Sequence, residues 1–159
     1  MVASSAVSRS TKQPFSTGQN TETLLTISNK SRYGLHALLS LAGHYGHGLL
    51  QIKDISRRNS IPPQFLGQIF NQLVKADIIS SMRGKGGGYQ LSRPPSEISV
   101  LEILEVLEGG LELAGDGDND VVRELFRQAE DTLRALLDLS LADLLERQKK
   151  KKQVLSFDI

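Results

Sequence analysis

Two cations and four glycines between Ile79 and Arg93, in the stretch I-S-S-M-R-G-K-G-G-G-Y-Q-L-S-R, form the set of residues best suited to meeting an anion. Arg83 and Lys85 supply positive charge. Gly84, Gly86, Gly87 and Gly88 can take positive φ and let backbone N–H groups approach a phosphate. Ile79 and Met82 precede the glycines and Tyr89 and Leu91 follow, alternating with polar residues, so the spacing predicts a β-hairpin with a basic tip. It is not a P-loop, because no G-K-[ST] follows at the required spacing and no helix follows the glycines. An ordinary surface turn could carry the same residues, so its neighbours decide. Two other groups could do chemistry. His44 and His47 are three apart, as metal ligands on a helix would be, but no carboxylate or cysteine is near them in sequence and Gly46 interrupts the helix. The run G-D-G-D-N-D at 115–120 resembles a calcium loop, yet counting from Asp116 puts Val121 at position six and Arg127 at position twelve, where an EF-hand needs Gly and Glu. No metal ligands and no catalytic residues are assigned.

The elements on either side of the hairpin give it a role. Leu35, Leu38, Leu39 and Ala42 recur at helical spacing from Lys30 onward, with Gly46 and Gly48 ending the pattern and a short strand expected over Thr26–Ser31 before it. Gln51–Asn59 reads as a short helix with Ile52 and Ile55 inward. Ser60-Ile61-Pro62 turns the chain into a second helix over Pro63–Lys75, with Pro63 at its first position. Phe65, Leu66, Ile69, Phe70 and Leu73 form the apolar stripe of that helix, and Gln64, Gln68, Asn71, Gln72 and Lys75 lie mostly off it. Two short helices joined by a tight turn make a helix-turn-helix whose second helix enters the major groove, and the basic hairpin after it is then the wing. Gln and Asn on that helix could read adenine edges or simply face solvent.

Beyond the wing, Pro94 and Pro95 break structure. Ser99 and Glu102 form a capping box that opens a helix ending at Gly109-Gly110. An acidic linker over 111–119 leads to the longest helix, Val121–Leu137. Val122, Leu125, Ala129, Thr132 and Leu136 are spaced by three and four, and Phe126, Leu133 and Leu137 widen the stripe; Glu130 and Arg134 make an i,i+4 pair on the other face. A stripe this broad calls for more partner surface than one neighbouring helix, so a symmetric dimer is expected through Val122, Leu125, Phe126, Ala129, Leu133 and Leu136; packing against its own domain alone is the alternative. Ser140 and Asp143 cap a last helix through Leu145, and Lys149–Lys152 reads as its solvated end.

Composition narrows the function classes. The formal net charge of +1 hides an asymmetry: residues 28–95 carry nine Lys/Arg against Asp54 and Asp77, a net +7, whereas residues 96–148 carry fourteen Asp/Glu against four Arg, a net −10. A basic half followed by an acidic half fits a DNA-facing module joined to another kind of module. There is no cysteine, which excludes disulfides and thiolate-held metal, and no apolar run near 18 residues to cross a membrane. Residues 1–25 lack the apolar core of a secretory signal and read as a disordered extension, or as a start placed too far upstream. The fold is therefore expected to be mainly α (α+β): a winged helix-turn-helix domain over 26–110, a linker, dimerisation helix and C-terminal helix over 111–148, and a basic tail over 149–159.

The segments S-N-K-S-R-Y-G-L-H-A-L-L at 28–39, F-L-G-Q-I-F-N-Q-L at 65–73, S-M-R-G-K-G-G-G-Y at 81–89 and L-D-L-S-L-A-D-L-L at 137–145 resemble the Rrf-two family of bacterial transcription regulators. The resemblance implies a cytoplasmic, nucleoid-associated homodimer whose long helices cross and whose winged domains meet adjacent half-sites of a palindromic operator in double-stranded DNA, as a repressor. It assigns groove reading to Arg83 and DNA contact to Gln64, with Gln68 beside it on the recognition helix. Lys85, Gly86 and Gly87 would track phosphate, and Arg32, Arg57, Arg58 and Lys30 are weaker phosphate candidates. Two departures stand out. Cluster-bearing members hold an iron–sulfur cluster with three cysteines between the fourth helix and the dimer helix; here Gly110–Asn119 is short and cysteine-free, so no cofactor is expected and the resemblance is to cluster-free members. The family also often places Glu where this chain has Gly67. Regulation could then come from a partner protein, or from a small molecule between the dimer helix and the winged domain. An adaptor that uses the winged fold as a scaffold is the competing class, and no arrangement of residues suggests an enzyme.

Overall fold

Ser28 caps a helix rather than joining a strand. Its hydroxyl accepts a hydrogen bond from the Ser31 N–H at 3.2 Å, and it donates to Glu108 Oε1 at 2.7 Å from the hydroxyl and 2.9 Å from its own N–H. These bonds fix extended backbone at Ser28 and helix immediately after it, which leaves no room for the strand expected over Thr26–Ser31. The computed structural model describes residues 26–118 and 120–157; the expected disordered extension at 1–25 lies outside them.

The chain forms α1 (Asn29–Ala42), α2 (Ile52–Asn59), α3 (Pro63–Lys75), a hairpin of β1 (Ile79–Met82) and β2 (Gly88–Leu91), a short 3-10 turn at Pro95–Glu97, then α4 (Val100–Glu108), α5 (Val121–Leu137) and α6 (Leu141–Phe157). This is the mainly α architecture with a β-hairpin wing and a long α5 that the periodicities predict; α6 is longer than they indicate. α1 runs through the centre and packs on α2, α3, α4, α6 and β2. Around it Leu38, Ile55, Leu66, Ile69, Phe70, Leu73, Ile78, Ile103 and Leu107 are fully buried. Such burial is worth roughly 1.5–3 kcal/mol for each large aliphatic side chain.

The connection between α2 and α3 is held from inside. Ser60 takes the left-handed conformation at φ 54, Ile61 turns in to 2% exposure, and the buried Ser56 hydroxyl donates to the Ile61 carbonyl at 2.5 Å. Pro63 then occupies the first position of α3, where a missing N–H costs nothing. β1 and β2 pair antiparallel with Ile79 opposite Leu91 and Met82 opposite Gly88. Leu50 adds a third edge by exchanging two backbone hydrogen bonds with Tyr89, at 2.9 and 2.8 Å. Gly88 is required there, because a Cβ would lie 2.5 Å from the Leu50 carbonyl oxygen.

Three local expectations need correction. Phe65 is 50% exposed and does not belong to the buried stripe of α3, which Leu66, Ile69, Phe70 and Leu73 complete without it. At α4 only half of the capping box forms: Ser99 Oγ accepts from the Glu102 N–H at 3.0 Å, but the Glu102 carboxylate turns to Arg93 at 2.6 Å instead of reaching back to Ser99. Finally, α6 continues through Lys149–Lys152 to Phe157, so the lysines sit inside a helix rather than at its end. Its start matches expectation, with Ser140 and Asp143 bonding reciprocally. Leu141, fully buried, and backbone bonds from Val100 to Leu139 and from Leu141 to Ile98 anchor that start to the winged domain.

Gly67 lies in the middle of α3, and a Cβ added there meets nothing within 4 Å. Gly67→Ala is therefore expected to stabilise the fold by about 1 kcal/mol, raising the melting temperature by about 2–4 °C. Gly34→Ala should lower it, because its Cβ would lie 2.6 Å from the Cδ1 of the buried Leu107. Thermal melts of both variants check the contrast, and a lowered value for Gly67→Ala would contradict it.

Candidate nucleic-acid interface

α3 divides cleanly into two faces. Leu66, Ile69, Phe70 and Leu73 face the core, while Gln64, Phe65, Gln68, Asn71, Gln72 and Lys75 are exposed. Gln64 and Gln68 are one helical turn apart and flank Phe65 around a shallow hollow at the N-terminal end of the helix. That end is the part of a helix-turn-helix recognition helix that reaches base edges. Its amide and aromatic groups can donate and accept hydrogen bonds and make apolar contact, which is the repertoire for reading base edges.

The wing is built around one tight turn. The Gly87 N–H donates to the Gly84 carbonyl at 3.0 Å, with Lys85 and Gly86 between them. Gly86 has φ 80, the value a type II turn demands at its third residue. Gly87 cannot be replaced freely, since a Cβ would lie 2.2 Å from the Met82 carbonyl oxygen. The turn holds Arg83, Lys85, Gly86 and Gly87 together at the tip, with both cations exposed and, among the described residues, in no ion pair. Tyr89, on the wing, packs edge-on against Phe70 of α3 with ring centroids 4.7 Å apart. The wing and α3 thus meet through this aromatic contact.

The remaining cation candidates are spread more widely. Arg32 is exposed in the first turn of α1. Arg57, in the last turn of α2, stands 4.0 Å from Asp54 and is largely open to solvent. Arg58 faces a cleft shared with His44, Asn59, Lys149 and Lys152, where the ends of α1 and α2 meet α6. The structure therefore gathers the wing residues and the start of α3 into two compact groups, and leaves Arg32, Arg57 and Arg58 on separate helices. The reading from sequence missed the exposure of Phe65. The signal was available, because positions 66, 69, 70 and 73 already complete an i, i+3, i+4, i+7 stripe.

α5 presents the second surface. None of its residues is buried; Val122, Leu125 and Leu136 are 55%, 63% and 66% exposed, Phe126 and Ala129 are also exposed, and Leu133 is half-buried. Its polar face is tied down. Arg134 bonds Glu130 at 3.0 Å within α5, Glu105 of α4 at 2.5 Å and the Leu111 carbonyl at 2.6 Å. The Leu113 N–H at 3.1 Å and then Arg134 hold the Glu130 carboxyl below its usual range. Asp120 serves as the helix cap, accepting from the Arg123 N–H at 2.9 Å, which explains one aspartate of the 115–120 run without a metal. His44 and His47 have tilted rings 5.8 Å apart with Gly46 at φ 83 between them. Among the described residues no three His, Cys, Asp or Glu side chains converge to hold a metal, and no helix is long and apolar enough to cross a membrane.

Comparison with known proteins converges on this architecture. The family model described as "Rrf2: Iron-dependent Transcriptional regulator" matches residues 27–147. The chain is 35% identical over 124 residues to the transcriptional regulator CymR of Bacillus subtilis, covering 76% of this chain and 89% of that protein. It is 33% identical over 133 residues to the regulator IscR of Photorhabdus laumondii, covering 78% and 81%. Among solved structures it is similar to B. subtilis CymR, described as the global cysteine regulator of that organism, with TM-score 0.71 and 33% identity over 77% of this chain and 98% of the other. It is also similar to T. potens IscR, with TM-score 0.68 and 33% identity over 80% and 90%. The residues present do not fit a thiolate-held iron–sulfur cluster, because the chain has no cysteine and the acidic residues of its α4–α5 linker are carboxylates. With its winged helix-turn-helix and its match over 27–147, the chain belongs to the Rrf2 family of DNA-binding, non-enzymatic transcription regulators, as a cysteine-free member.

Proposed function

We propose that the chain is a homodimeric regulator that represses by occupying a palindromic operator, with α3 and the wing of each protomer on one half-site and no cluster involved. The observation that carries this reading is the one-sided burial of α3, which leaves Gln64 and Gln68 free beside a wing whose Arg83 and Lys85 have no internal partner among the described residues. In this reading Gln64 and Gln68 meet base edges and Arg83 reads a groove. Lys85, with the Gly86 and Gly87 backbone, tracks phosphate, and Arg32, Arg57 and Arg58 add weaker phosphate contacts.

Dimerisation is supported by the uncovered stripe of α5. Val122, Leu125, Phe126, Ala129, Leu133 and Leu136 repeat at helical spacing on a helix with no buried residue of its own. An apolar stripe with a polar face already tied to α4 and the linker suits a symmetric crossing with the same helix of a second copy. Leu125→Glu is expected to give a monomer by sedimentation equilibrium while retaining helical content by circular dichroism. A persistent dimer would contradict this assignment.

Anisotropy titrations at several salt concentrations, on duplexes selected by the protein and on scrambled ones, test the DNA reading. Arg83→Ala should lose about 1–3 kcal/mol of preference for the selected duplex per half-site. Lys85→Ala should weaken both duplexes alike and reduce the slope of log K against log salt by about 0.9 for each half-site occupied. If Arg83→Ala binds both duplexes as the unaltered protein does, the wing does not read DNA and an adaptor role for the winged scaffold takes precedence.

A further inference from the structure

Phe65 is the one large apolar side chain exposed on α3. Its neighbours on the exposed face, Gln64, Gln68, Asn71, Gln72 and Lys75, are all polar, and the ring is half exposed. It occupies the third position of the helix, inside the N-terminal turn, where recognition helices of this type approach base edges. It is not needed for the core, which closes beneath α3 through Leu66, Ile69, Phe70 and Leu73, each 1% exposed or less. Gln64 and Gln68 border the same hollow as the ring.

A major groove offers only one apolar group at the base edges, the 5-methyl of thymine. An aromatic ring carried into the groove between two amide side chains would lose water from its face, and a methyl is the partner that makes this favourable. Gln64 and Gln68 can present paired donor and acceptor atoms to an adenine on one side or the other. We infer that Phe65 is a specificity-determining residue that selects thymine in each half-site by packing on its 5-methyl group. The inference rests on the operator-reading role proposed above for α3.

The test uses the full chain and a duplex it selects, with each thymine replaced in turn by deoxyuridine, which removes the methyl and keeps the hydrogen-bonding edge. The unaltered protein should bind about fourfold more weakly when one particular thymine per half-site is replaced, the value of one buried methyl group. Phe65→Ala should bind the thymine duplex more weakly and be indifferent to that replacement, and Phe65→Leu should keep part of the sensitivity. Sensitivity at no thymine, or undiminished sensitivity in Phe65→Ala, overturns the inference. The scan on the unaltered protein stands even if a variant proves unstable. If the protein prefers the selected duplex over a scrambled one yet ignores every methyl, only the role of Phe65 fails. If it shows no preference at all, the operator-reading role fails with it.

Discussion

The contact between Phe70 and Tyr89 joins α3 to the wing, and the proposed DNA-facing surface depends on that junction. Phe70 is buried on the inner face of α3, and Tyr89 is the second residue of β2, joined to Leu50 by two backbone hydrogen bonds. Their rings meet edge-on at 4.7 Å, an arrangement worth about 0.5–1.5 kcal/mol beyond the area it buries. The energy matters less than the constraint. Joined at this point, α3 and the wing carry Gln64, Gln68, Arg83 and Lys85 on one packed unit. Gly88 lets β2 approach Leu50 closely, and the turn from Gly84 to Gly87 presents the cations beyond it. A fixed spacing between two contact groups is what lets a protein read a groove in one register.

The second half of the chain is organised on a different principle. α5 buries nothing of its own; it is positioned through its polar face, by Arg134 and Glu130, while its apolar stripe is left uncovered. α6 then returns the chain to the winged domain through Leu141 and the backbone bonds at Ile98 and Val100. The charge division follows this architecture. The basic 28–95 segment contains α3 and the wing, and the acidic 96–148 segment contains α4, the linker and α5. Keeping acidic residues few around the helix-turn-helix, with only Asp54 and Asp77 in that segment, limits repulsion where phosphate would approach.

Much of this was legible in the sequence because the local signals agreed with one another. Pro63, the stripe at Leu66, Ile69, Phe70 and Leu73, and the glycine spacing at 84–88 each specify one local geometry, and together they define helix, turn and wing. Where the reading failed, two rules competed. The edge of a helical stripe is ambiguous to about one residue, so Phe65 looked like core although it lies outside the closed pattern. At Ser28 a strand was expected from residue types alone, but the hydroxyl found both a helix N–H and Glu108, a partner eighty residues away that no local pattern reveals. Glu102 likewise satisfied its local motif on paper and went to Arg93 in space. The length of α6 was underestimated because four consecutive lysines suggest an end, whereas lysine is a good helix former.

The central claim is that two copies of this chain place matched recognition surfaces on one stretch of DNA. Selection of binding sites from a random duplex pool by the full chain tests it most directly. The account predicts enrichment of two inverted half-sites with a fixed spacing near one helical turn or a multiple of it. Enrichment of a single unpaired half-site, or of no sequence at all, would contradict it.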